Sequence, residues 1–184
     1  PCNIIILQHP SEQKQALATV PLLQVCLSGI QVLVGESFGD HEQIKALLNY
    51  SNSVAVLFPS EQSQPWNIKE TTSTSNPKLN IAPELKTLIV LDGTWRKAKL
   101  IWHKNPWLAE LPSVALMNIP ASEYQIRSST IEGGVSTLEA VMHSCNYLTG
   151  SQKFNPLLKP FKAMIDWQIK KMGKETFLAH YGKD

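Results

Sequence analysis

Cysteine is scarce in this sequence, and the few present are poorly placed for pairing. Cys2, Cys26 and Cys145 are widely spaced, odd in number and without a CxxC pair. That fits a reducing compartment better than a disulfide framework, so a cytoplasmic protein is expected. No apolar run reaches membrane-spanning length, and the N-terminal stretch lacks a signal-peptide pattern. Charge is sparse as well. Charged residues make up 17% of the chain and the net charge is only +2, too little to announce a polyanionic partner. Any such partner must be argued from where the charges lie. No GxGxxG, GxxxxGK[ST] or GxSxG motif occurs, so neither a dinucleotide site, a P-loop nor a hydrolase elbow is signalled. His9, His41, His103, His143 and His180 are scattered and unpaired with cysteines, so no metal site is expected.

What is present describes one folded domain. At 184 residues and 43% hydrophobic, the chain can bury a real core but is short for two domains. Apolar, β-branched runs at 3–9, 31–35, 54–59, 87–92 and 113–119 read as buried strands. Helix signals alternate with them. Pro10 and Ser11 stand before good helix formers through Thr19. Asp40 and Gln43 have the spacing of a capping box ahead of Ile44, Leu47 and Leu48. Trp95, Ala98 and Trp102 repeat at helical spacing up to Asn105-Pro106. Ser136 and Glu139 form a second capping box before Leu138, Val141, Met142 and Cys145, and 156–172 is an amphipathic helix whose lysines suit a solvated face or RNA phosphates. This alternation predicts an α/β fold, a mainly parallel sheet flanked by helices. Residues 60–84, rich in Ser, Thr, Gln and Pro, are expected to form a mobile polar insertion, a lid or a tolerated surface loop.

Ligands of such sheets bind at the carboxyl ends of the strands. Four stretches fall there: His9, Pro59-Ser60, Asp92-Gly93-Thr94 and the region from Tyr124 to Glu139. Each also has a plainer reading. An Asp before a helix serves as a cap, a lone His bonds a loop, Pro59 ends a strand, and a Trp/Ala/Trp stripe is core.

In its strand–turn–helix setting, Asp92-Gly93-Thr94-Trp95 resembles the Asp-x-Thr-Trp signature of the DTW-domain family, which contains the tRNA-uridine aminocarboxypropyltransferases. The resemblance extends in order through Leu7–Glu12 with Thr19, Leu57–Pro59, Leu91–Trp95, Tyr124–Arg127 and Gly134–Ala140. It implies a SPOUT-like domain over 1–184, of a kind in which a C-terminal knot occurs. Many members carry an N-terminal cysteine cluster, thought to bind zinc; here Cys2 alone precedes the first strand, so no bound metal is expected. The implied reaction moves the 3-amino-3-carboxypropyl group of S-adenosylmethionine to N3 of a tRNA uridine, leaving 5′-methylthioadenosine. Carried over by motif, Asp92 is the candidate base, and Thr94 and Trp95 shape the pocket. Leu57, Pro59, Ser60, Leu91, Ser136, Thr137, Leu138 and Glu139 hold the cofactor, and His9, Arg96, Lys97, Lys99 and Arg127 meet tRNA. No membrane and no protein partner is implied. The alternatives are an S-adenosylmethionine-dependent RNA methyltransferase, a non-catalytic RNA-binding module, and a structural domain in which Asp92 only caps a helix.

Overall fold

A computed structural model describes residues 1–15, 18–68, 85–120, 122 and 134–173. Six strands run parallel in one sheet: β1 (Asn3–Gln8), β2 (Ile30–Val34), β3 (Val54–Leu57), β4 (Gln64–Asn67), β5 (Thr87–Asp92) and β6 (Ser113–Met117), in the order β2-β1-β5-β3-β6-β4. The helices are α1 (Val20–Cys26), α2 (Glu42–Leu48), α3 (Trp95–Lys104), α4 (Thr137–Thr149) and α5 (Leu158–Met172). The expected α/β architecture is present. Among the described residues no helix is long and apolar enough to cross a membrane. The C-terminal path that a knot would involve includes 123–133 and 174–184, which lie outside the described residues.

Because side chains alternate across a strand, β1, β3 and β5 each feed two cores. Ile4 and Ile6 of β1, Ala55 of β3, and Leu88 and Val90 of β5 pack with α1, α4 and α5 on one face. Ile5 and Leu7, Val54 and Val56, and Ile89 pack with α2 and α3 on the other. Burying each such side chain contributes about 1.5–3 kcal/mol, which is why the inner strands read as continuous apolar runs. The alternation also fixes which face each strand-end side chain joins.

Three local expectations change. Among the described residues the segment after Pro10 makes a 3-10 turn, Pro10–Glu12, residues 16–17 lie outside the described residues, and α1 starts at Val20 after Thr19. His41, not Asp40, stands at the N-cap of α2, and Asp40 instead faces Lys45 Nζ at 3.3 Å. Within the stretch expected to be a polar insertion, Gln64–Asn67 is a strand with Trp66 buried against Tyr147, ring centroids 4.9 Å apart. It is an edge strand, where Pro65 is tolerated. Residues 69–84 lie outside the described residues.

The thiols differ in access. Burial pushes the Cys145 thiol up to about 12, while Cys26 is exposed.

Candidate active site

Asp92 closes the central strand β5, and its side chain is buried. It pairs in register with Gln8, the last residue of β1. Both share the parity of Ile4, Ile6, Leu88 and Val90, so both turn toward the face covered by α4. There the Gln8 amide donates to Asp92 Oδ2 at 2.9 Å, and the Thr137 hydroxyl donates to Oδ1 at 2.5 Å. The His9 N–H donates to the Asp92 carbonyl at 3.0 Å. Two donors aimed at the carboxylate orient it. The helix-cap reading of Asp92 fails, because Thr94 occupies the N-cap of α3 and makes no side-chain cap bond.

The start of α4 explains why Thr137 reaches Asp92. The Ser136 hydroxyl accepts from the Glu139 N–H at 3.2 Å, and Glu139 Oε2 accepts from the Ser136 N–H at 2.8 Å, the predicted capping box. The Ser122 hydroxyl adds bonds of 3.0 and 2.7 Å to the Glu139 oxygens. Ser136 and Glu139, expected to hold a cofactor, therefore use their side chains to cap the helix and set Thr137 over β5. Leu138 is fully buried in the core. His143, also on α4, is buried, and desolvation lowers its pKa below the ordinary 6.5, with the Glu139 charge acting in the opposite sense. Its neutral form suits the fold, so stability is fully present above pH 6.5 and lost as pH falls toward the depressed folded value. A His143→Gln variant should lose this part of the acid sensitivity, read as a flatter dependence of melting temperature on pH below about 6.5.

The remaining expected residues divide between the two faces. Leu57, at the end of β3, lies half-buried on the α4 face, and Pro59 beyond it is exposed. Ser60 belongs to a hydroxyl cluster with Ser63 at 3.0 Å and Ser113 at 2.8 Å, while Ser63 Oγ donates to the Phe58 carbonyl at 2.9 Å. That cluster links the β3–β4 crossing to the start of β6, and it is where the structure places the Ser60 side chain. Leu91 and Trp95 join the opposite core. Trp95 stacks on Phe58 at 5.4 Å, and Phe58 on Trp102 at 4.7 Å. Strand alternation thus separates Trp95 from the Asp92 carboxylate, although three positions part them in sequence. Thr94 is exposed at the turn between the faces. The turn itself is tight, since a Cβ at Gly93 would come within 2.9 Å of Lys97 Cβ.

Two of the expected RNA-contacting side chains are engaged elsewhere. Lys97 Nζ lies 2.8 Å from Oε1 of the buried Glu12, tying α3 to the 3-10 turn. The Ser11 N–H donates to His9 Nδ1 at 3.2 Å, which leaves Nε2 to face Glu36 Oε1 at 3.1 Å. Lys104 also bonds Glu36 and is the main cause of that carboxyl's lowered pKa. Arg96 and Lys99 remain exposed on α3. Arg127, with the rest of Tyr124–Arg127, lies outside the described residues. Sequence reasoning assigned no role to Gln8; a polar residue in phase with Ile4 and Ile6 at a strand end was the available signal.

A DTW domain profile matches residues 1–169. The chain is similar to the protein named tRNA-uridine aminocarboxypropyltransferase 2 of Drosophila melanogaster, 32% identical over 91% of this chain and 64% of that one. It is also similar to the proteins of that name in Macaca fascicularis and Mus musculus, each 29% identical, over 91% of this chain and 55% of theirs. The chain thus spans less than two thirds of these relatives' lengths. No solved structure matches it significantly.

Proposed function

Since the chain belongs to the DTW-domain family, we propose that it transfers the 3-amino-3-carboxypropyl group of S-adenosylmethionine to N3 of a uridine in tRNA. The observation that carries this reading is the buried, doubly bonded Asp92 carboxylate at the carboxyl edge of β5, within a chain whose relatives bear that activity in their name. The donor supplies an electrophilic γ-methylene: the N3–C bond forms as the C–S bond breaks, and the electron pair neutralises the sulfonium in methylthioadenosine. The N3 proton needs an acceptor, and Asp92 is assigned that role. The same negative charge suits a sulfonium, and the half-buried Leu57 and the exposed Thr94 are assigned to the walls of its pocket. Holding the uracil nitrogen in line with the methylene, rather than the methyl, supplies much of the rate.

Arg96 and Lys99 are assigned to tRNA phosphates. Replacing both by Glu is expected to weaken tRNA binding, and to flatten its dependence on salt by about one unit of slope per residue, with donor binding unchanged. Filter binding across a salt series checks this.

The reaction itself is tested by mass spectrometry of unmodified tRNA incubated with protein and S-adenosylmethionine. An aminocarboxypropyl adduct on uridine together with methylthioadenosine supports the proposal. A methyl adduct with S-adenosylhomocysteine overturns it in favour of methyl transfer.

A further inference from the structure

We propose that Gln8 and Thr137 are positioning residues that hold the Asp92 carboxylate in one orientation for proton abstraction; this rests on the assignment of Asp92 as the base. The two come from different elements, 84 and 45 residues away from Asp92 in sequence, and each takes a different carboxylate oxygen. Gln8 is itself buried, 5% exposed.

The fold gives little reason for this cluster. Gln8 ends a strand whose inward positions on this face are Ile4 and Ile6, and an apolar side chain there would avoid the cost of desolvating an amide. A carboxylate left to rotate about its χ2 bond presents its lone pairs over a broad range. One donor restrains it, and two donors on opposite oxygens fix its plane. The donors also suit the task chemically. Both are neutral, so neither removes the negative charge that a sulfonium would meet. Gln8 has no titrating proton with which to compete for the one taken from the substrate. The capping box of α4 is the last part of the device. By satisfying the helix start with Ser136 and Glu139, it leaves the Thr137 hydroxyl to be aimed across at β5.

The test compares Gln8→Leu, Thr137→Val and Thr137→Ser in steady-state kinetics, with Asp92→Asn alongside. Gln8→Leu and Thr137→Val are each expected to lower kcat by about ten- to a hundredfold, with KM for both substrates within about a factor of two. Thr137→Ser, which keeps the hydroxyl, is expected to restore most of kcat. Thermal melts are run on every variant. Unchanged kcat in Gln8→Leu and Thr137→Val, with Asp92→Asn inactive, overturns the positioning role and leaves the base standing. A kcat loss that Thr137→Ser does not recover, in a protein that melts early, assigns the cluster to stability and also overturns it. Full turnover by Asp92→Asn overturns the base assignment itself, and the positioning role falls with it.

Discussion

Asp92→Asn is expected to lower kcat for aminocarboxypropyl transfer by about 10²–10⁴-fold, the usual contribution of a positioned general base. The substitution is close to isosteric, and its neighbours can accommodate it. An Asn carbonyl can still accept from Gln8, and the Thr137 hydroxyl can turn to accept from the new amide, since a hydroxyl serves either way. What the amide cannot do is take the uracil proton. The measurement is the rate of adduct formation beside a thermal melt. A large loss of kcat with an unchanged melt supports the assignment, and full turnover removes it.

Lys97→Met should act on the fold rather than on RNA. The ammonium faces a Glu12 carboxylate whose side chain is only 3% exposed, and its own is 21% exposed. Removing one member of a buried pair costs about 3–5 kcal/mol, and partial access of water to Lys97 reduces that to about 2–3 kcal/mol. Urea denaturation would read it as a lowered midpoint. Adding Glu12→Gln to the same chain is expected to recover part of the loss, because the carboxylate that Lys97 faced is then neutral. If Lys97→Met left the midpoint in place but weakened tRNA binding, Lys97 would return to the RNA-facing group.

The elements that could be read from the sequence are those whose signal is local. β5 occupies 87–92 as its β-branched run indicates, and the Ser136–Glu139 box caps α4 as its spacing indicates. β4 carried no such signal, because an edge strand needs only one buried side chain, here Trp66, and its Gln-Pro start reads as a turn. The 3-10 turn at Pro10–Glu12 carried no local signal for its burial, since Glu12 meets Lys97 across 85 residues, a long-range pairing that no window of sequence contains. The site followed the same division. Asp92 stood out by its place at a strand end, whereas the separation of Asp92 from Trp95 depends on which helix covers which face. Parity tells that the two faces differ; only the packing tells that α4 covers one and α3 the other.

The strand order has a consequence for how the chain is made. Among the described residues, of the four strands that precede β5 in the chain only β1 and β2 are neighbours in the sheet. β3 takes its partners from β5 and β6, and β4 from β6 alone. A nascent chain that stops short of Thr87 therefore holds two strands with neither native neighbour available, edges of the kind that recruit other chains. The gap between β1 and β3 closes only when β5 arrives, and β4 docks only when Met117 has cleared the exit tunnel. The edge that carries Asp92 thus has no native sheet behind it until β5 itself has been made.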